Sequence, residues 1–202
     1  MKTRSLVTRA VLTLSCALAS APALCQQPAS KADMQRGQEL MQKQMAVMTP
    51  ELLEKARALS PEIKQFLMRV ALRHERRSDS LTLVQVMQEI LADYQTVGAA
   101  IATDNGAMAA DAARRLALHR LPRGGMLPYL PLEKVTTEGL SVLPAMEVAV
   151  EGNATLLAEA AEKGDMVGAA QYYGGVTSGC VACHIHFRGQ PGAAAYVPRV
   201  TR

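Results

Sequence analysis

Aromatic side chains are rare in this sequence, which has no tryptophan and only two phenylalanines among 202 residues. Its apolar content comes mainly from alanine, leucine, valine and methionine. Because alanine, leucine, methionine, glutamate, glutamine and arginine are good helix formers, this composition favours an all-α fold. No basic patch interleaved with aromatic residues occurs, so nucleic-acid binding has no support in the sequence.

A long apolar run is also missing from the start of the chain. The first 25 residues place three basic side chains before the uncharged stretch AVLTLSCALASAPALC, which is too short for a membrane-spanning helix. We interpret residues 1–25 as a Sec-type export signal, cleaved after Cys25 or Ala23; a membrane anchor is the alternative. The export signal predicts a periplasmic protein with no stable membrane insertion after the leader is removed. Cleavage after Cys25 lowers the formal net charge from +4 to +1.

Cysteine is scarce as well. Of the four cysteines, Cys16 and Cys25 lie in the predicted leader, which leaves Cys180 and Cys183 for the mature protein. A lone CxxC in an exported protein could carry a redox disulfide, but neither a disulfide nor a zinc site requires the histidine that follows, His184. Zinc would also need two further ligands, and no second Cys/His pair has suitable spacing.

The segment CVACH predicts covalent attachment of one haem c, with its iron. On a helix, Cys180 and Cys183 lie on one face and can form thioethers with two vinyl groups along one edge of a porphyrin. His184 then projects towards the iron from the same side, as the proximal ligand. Export agrees with this prediction, because haem is attached covalently outside the bacterial cytoplasm.

Residues that typically begin or end helices occur along much of the chain. Thr49–Pro50 and Ser60–Pro61 each place a capping hydroxyl before a proline at the first helical position. Asn105–Gly106 indicates a turn, and Asp165 caps the last helix, which runs to about Arg188. We predict four antiparallel helices between about residues 80 and 189, the third over 136–163 with a start or kink at Pro144. The inward seam of the first consists of Leu83, Met87, Ile90, Tyr94, Val97 and Ile101.

The closing stretch CVACHIHFR resembles the class II cytochromes c, the cytochrome c′ superfamily, whose motif is CxxCHxxF/YR. The likeness includes GAAIATDNGAMAADAARRLA and spans about residues 80–189. It implies an antiparallel four-helix bundle with haem near one end, and a possible homodimer. We therefore divide the chain into a signal peptide (1–25), an N-terminal helical extension (26–78), a four-helix-bundle cytochrome c domain (79–190) and a flexible tail (191–202). We expect the haem pocket to form without residues 33–78.

The resemblance also implies that the sixth coordination position of the iron is either empty or filled by a methionine. Low-spin members supply a methionine from the first bundle helix, and Met87 is the candidate distal ligand here. Family members often carry an arginine about four residues earlier, where this chain has Leu83. A core-filling role for Met87 is the alternative, since methionine commonly fills cores. Upstream, Met41, Met45 and Met48 are expected to pack in a core, with a Cu(I) site as the alternative.

Residues near the motif have predicted supporting roles. Arg188 shares a helix face with His184 and could contact a haem propionate, while Phe187 is expected to pack against the porphyrin or core. The other histidines are expected to lie away from the iron: His186 on the opposite face, His119 at a helix end, and His74 in a solvated charged run, 74–79.

The sequence favours an exported electron carrier that cycles between Fe(II) and Fe(III), with unknown redox partner proteins. It is not expected to be an enzyme, because no constellation of catalytic base and nucleophile is present. The alternative is a five-coordinate protein that binds NO or CO at an open distal face. A peroxidase-like enzyme would need a distal acid or base, for which Gln88 and Asp93 are the nearest polar candidates. Residues 33–78 could instead dock the protein to a partner.

Overall fold

A computed structural model describes residues 31–188 of the chain, apart from the side chains of residues 33 and 34. Over this range the chain is helical without β-sheet, and a single isolated bridge joins Arg77 to Leu121. The predicted all-α helical bundle is confirmed. The predicted signal peptide and C-terminal tail, with Cys16 and Cys25, lie outside the described residues. None of the described helices is long and apolar enough to cross a membrane.

Three helices precede the bundle: α1 (Lys31–Met45), α2 (Pro50–Ala58) and α3 (Pro61–Arg73). The hydroxyl of Thr49 accepts a hydrogen bond from the amide of Leu52 at 3.3 Å. That of Ser60 accepts one from Ile63 at 3.4 Å. Both predicted helix starts are confirmed. They could be predicted because each capping signal is contained in a few neighbouring residues.

A helical hairpin follows, made of α4 (Leu83–Ala102) and α5 (Gly106–Ala117). Thr82 and Gln85 form a capping box at the start of α4, each side chain bonding to the backbone amide of the other. Asn105 caps α5 by accepting from the amide of Met108 at 3.0 Å. The short turn between them makes the two helices an antiparallel pair.

The predicted third helix, 136–163, is interrupted in the structure. It consists of α6 (Thr137–Leu140), α7 (Leu143–Glu147), a π-helical turn (Val148–Gly152) and α8 (Asn153–Glu162). Pro144 lies in the first turn of α7, so it starts a helix rather than kinking one. Because a π turn holds an extra residue per turn, side chains after Val148 point in other directions than a regular α-helix would give them.

The last helix, α9 (Met166–Arg188), completes a ring of four packed helices. Helix α5 packs against α4 and α8, and α9 packs against α8, the π turn and α4. Gly164, at φ +75°, forms the turn into α9, and Asp165 accepts from the amide of Gly168 at 2.8 Å. The interface of α4, α5 and α8 is rich in buried alanines, which lets these helices approach closely.

The N-terminal helices share a hydrophobic core with the bundle. Leu52 of α2 and Phe66 of α3 are buried in one cluster with Leu140, Leu143 and Phe187. This packing crosses the predicted domain boundary at residue 78. The N-terminal helices therefore lie on the bundle and are not separate from it.

The segment after α3 is tied to the loop after α5. Leu121 donates its amide to the carbonyl of Arg76 at 2.9 Å, and Ser78 donates back to Leu121 at 3.1 Å. The prediction that the charged run 74–79 is a solvated helix end is wrong at its first residue, because His74 is fully buried. The cause is a pairing with residues distant in sequence, described below.

Candidate functional site

Four predicted site residues line one cavity of about 580 Å³: Met87 from α4, and Cys180, Cys183 and His184 from α9. Both cysteines are free thiols and half-buried. The size lies within the roughly 300–1,000 Å³ of pockets that hold cofactors and small molecules. The two thiols, the imidazole and the thioether that the sequence singled out are thus brought together at a single place.

The lining of this cavity is mainly apolar, and much of it comes from the N-terminal helices. Met41, Met45 and Met48 line it, as do Phe66 and Val70 of α3. The N-terminal helices thus supply part of the cavity wall, and haem attachment without residues 33–78 stays a prediction. The sequence could not place α1 here, because the contact depends on α1 folding back on α3. The alternative of a Cu(I) site at Met41, Met45 and Met48 stays untested.

Burial dominates the chemistry of the two thiols. It raises the pKa of Cys180, and it raises the pKa of Cys183 to about 11. The neighbouring Cys180 raises the pKa of Cys183 further, while the charge of Arg188 opposes it. Reactive cysteines in redox CxxC pairs normally have a lowered pKa and a stabilised thiolate. The environment of these thiols is therefore unlike that of a redox-active disulfide.

His184 lies near the end of α9 and is exposed to solvent at the cavity. Partial burial lowers the pKa of its imidazole, and the charge of Arg188 lowers it further. Both effects favour the neutral ring, which is the form that binds a metal ion. Arg188 therefore acts on His184 through its charge, and its side chain is exposed.

Phe187 is buried, and Cys183 packs against its cluster. His186 contacts the edge of the Phe187 ring, and its Nε2 lies 2.9 Å from the carbonyl oxygen of Gly139. His186 is not among the residues that line the cavity, in agreement with its predicted direction. Phe187 and His186 thus hold the end of α9 against α6 and the core.

Gly179 lets α9 approach the π turn closely, just before the first cysteine. A Cβ atom there would lie 2.8 Å from a Val150 methyl group and 3.0 Å from the backbone of Ala149. The 2.8 Å contact is shorter than Cβ atoms make in proteins and the 3.0 Å contact is unusually tight, so a side chain here would force Val150 and the neighbouring backbone to shift. The position of Cys180 in the cavity therefore depends on a residue without a side chain.

A cluster of polar side chains at the cavity was missed by the sequence analysis. His74, which caps α3, and His119, which follows α5, both face Glu151 in the π turn. Their Nε2 atoms lie 3.5 Å and 3.6 Å from the same oxygen of Glu151, Oε1. His119 and Glu151 line the cavity, whereas Gln88 and Asp93, the polar candidates from sequence, do not.

The charges of this cluster are linked to one another. Burial acts to raise the pKa of Glu151, but the nearby imidazoles of His119 and His74 outweigh it and hold that pKa at about 2. Burial acts to lower the pKa of His74, but the nearby carboxylate of Glu151 reverses this, so its pKa is raised. Arg73 forms an ion pair with the other oxygen of Glu151 at 3.3 Å.

Comparisons of the chain with family models, with curated proteins and with solved structures find no match. The resemblance carried by CVACHIHFR therefore stays a prediction from the motif. The functional assignment rests on that motif and on the cavity to which its residues contribute.

Proposed function

We propose that this protein is an exported, single-haem c-type cytochrome that transfers single electrons, related to the low-spin class II cytochromes c. The observation that carries the proposal is that Cys180, Cys183, His184 and Met87 line one largely apolar cavity of about 580 Å³. The residues fit a haem: two thiols three residues apart on one helix, a neighbouring imidazole, and apolar walls.

In this proposal Cys180 and Cys183 would hold the haem through thioether bonds, and His184 and Met87 would bind its iron. When bound, the haem supplies the Fe(II)/Fe(III) couple. The lowered pKa of His184 keeps its ring nitrogen available as a ligand near neutral pH. A methionine ligand raises the reduction potential relative to other ligands, and the apolar lining supplied by Met41, Phe66 and Val70 excludes water.

The proposal also covers the location of the protein, its partners and whether it is an enzyme. The predicted leader places the protein in the periplasm, where it would meet redox partner proteins and could form a homodimer. We propose no catalytic residues, so the protein is not assigned as an enzyme.

Intact mass and absorption spectra test the proposal together. We expect one covalently bound haem per chain, a chain shortened by about the predicted leader, and a low-spin spectrum in both redox states. Cys180→Ala or Cys183→Ala should each leave at most one thioether, seen as a shift of the pyridine haemochrome band. An unmodified full-length mass would refute the cytochrome proposal. Covalent haem with a high-spin spectrum would favour the five-coordinate NO- or CO-binding alternative.

A further inference from the structure

We propose that His74, His119 and Glu151 form a binding site for one divalent transition-metal ion, of the class that takes imidazole and carboxylate ligands. The site uses none of the residues Cys180, Cys183 and His184, although His119 and Glu151 line the same cavity.

The two distances from the histidine nitrogens to the Glu151 oxygen suit a metal ion. One ligand atom from each of the three residues lies within 4.8 Å of the others. The Nε2 atoms of His74 and His119 are 3.5 Å and 3.6 Å from Glu151 Oε1. Ligand atoms about 2.0–2.2 Å from a tetrahedral zinc ion are about 3.3–3.6 Å from one another. Three protein ligands would leave a fourth position for water.

The backbone fixes both histidines with Nε2 directed at the carboxylate. His74 Nδ1 lies 3.0 Å from the carbonyl oxygen of Val70, and His119 Nδ1 lies 2.9 Å from that of Arg120. A carbonyl oxygen only accepts hydrogen bonds, so each Nδ1 carries the proton. In the neutral rings, both Nε2 lone pairs then point at a carboxylate, which is repulsive unless a proton or a metal cation lies between them. This arrangement of Nδ1–H bonded to a carbonyl is usual for metal-binding histidines.

Burial provides an independent indication of a ligand. His74 is fully buried, and within the described residues its Nε2 makes no hydrogen bond, although it faces Glu151 Oε1 at 3.5 Å. A buried nitrogen that makes no hydrogen bond destabilises the folded protein, and a bound metal ion would remove that cost. Arg73 pairs with Oε2 of Glu151 and also with Glu147, so Oε1 is left for the metal.

The three ligands come from three separate segments, namely the end of α3, the residues after α5 and the π turn. A metal ion here would fasten the N-terminal helices to the bundle beside the cavity. π turns occur frequently at functional sites, and this one supplies the carboxylate. The competing interpretation is an ion-paired cluster that holds protons and never binds a metal.

Zinc binding by the purified, haem-loaded full-length protein tests the proposal. After treatment with EDTA, the protein is dialysed against Zn²⁺, and zinc and iron are counted per chain by mass spectrometry. We expect one zinc ion per chain in the wild type, and loss of stoichiometric zinc in His119→Gln and in Glu151→Gln. His186→Gln is the matched control and should keep its zinc, because His186 bonds to Gly139 and lies outside the cluster.

Circular dichroism establishes which variants are folded, and either His119→Gln or Glu151→Gln is sufficient if the other fails. X-ray absorption at the zinc edge should show only nitrogen and oxygen ligands, at about 2.0–2.2 Å. Three results would overturn the proposal: no zinc uptake by the wild type, stoichiometric zinc retained in a folded variant of the cluster, or a sulfur ligand at about 2.3 Å.

Discussion

The hydroxyl groups of Tyr94 and Thr177 are joined by a hydrogen bond of 2.8 Å that links α4 to α9. Met87 lies about two helical turns before Tyr94, and His184 lies about two turns after Thr177. Since both line the same cavity, α4 and α9 run in opposite directions and bring Met87 and His184 to the same end of the bundle. This pair of hydroxyls therefore fixes the register on which the proposed iron ligation depends.

Met87→Ala should convert a low-spin haem protein to a high-spin one, lower its reduction potential and allow it to bind CO. The reason is that alanine has no ligand atom, while His184 and both cysteines are unchanged. Absorption spectra of the oxidised and reduced forms measure the effect. Met108→Ala is a control away from the cavity, and Met126→Ala is a control on it. Both should stay low-spin; a low-spin Met87→Ala protein would show that another residue is the sixth ligand.

Tyr94→Phe should lower the free energy of unfolding by about 0.5–1.5 kcal/mol, the net value of one hydrogen bond. The ring is retained, so its stacking on Tyr173, at 4.6 Å between ring centroids, is preserved. Urea unfolding of the variant and wild type measures the difference. Tyr129→Phe removes a hydroxyl bonded to the Arg123 carbonyl at the surface and should cost less. An unchanged midpoint in Tyr94→Phe would mean that the bond to Thr177 adds nothing to stability.

Two glycines of α9 should respond oppositely to alanine. Gly179→Ala should destabilise the protein by about 1–3 kcal/mol, because its methyl group would overlap Ala149 and Val150. Gly174→Ala meets no atom within 4 Å and should stabilise the helix by about 0.4–1 kcal/mol. Thermal unfolding followed by circular dichroism distinguishes them. Equal effects of the two substitutions would contradict the close approach of α9 to the π turn.

Phe66→Ala should cost about 3–5 kcal/mol of stability, since this ring is buried in the cluster that joins the N-terminal helices to Phe187. In the Met87→Ala background, where the iron can bind CO, it should also speed the reaction of reduced haem with CO, because Phe66 lines the cavity. Denaturant unfolding and stopped-flow spectroscopy measure the two effects. Val84→Ala, on the exposed side of α4, should change stability by less than about 0.5 kcal/mol. A Phe66→Ala protein as stable as wild type would contradict a stabilising role for the packing of Phe66 in the cluster with Phe187.

Local signals allowed much of the fold to be predicted from the sequence. The caps at Thr49, Ser60 and Asn105 each act within three residues, so the helix starts follow directly from neighbouring side chains. The spacing of Cys180, Cys183 and His184 likewise needs only the geometry of one helix. The seam of α4 placed Met87 on the inward side, where it lines the cavity.

The remaining features depend on contacts between distant parts of the chain. His74 lies among charged residues and was predicted to be solvated, but its partner Glu151 belongs to another helix. Glu151 in turn owes its direction to a π turn, which has no clear sequence signature. The place of Met41 at the cavity depends on the packing of α1 on α3, which periodicity within α1 does not specify.

The cluster of Leu52, Phe66 and Phe187 also has a consequence for the order in which the protein folds. The ribosome makes α2 and α3 early, but Phe187 belongs to the last described helix. Until that helix is present, the apolar faces of Leu52 and Phe66 lack part of their packing surface and are open to aggregation. Such long-range pairing also closes a large loop, which slows folding. The earliest helices of the chain thus reach their native packing among the last.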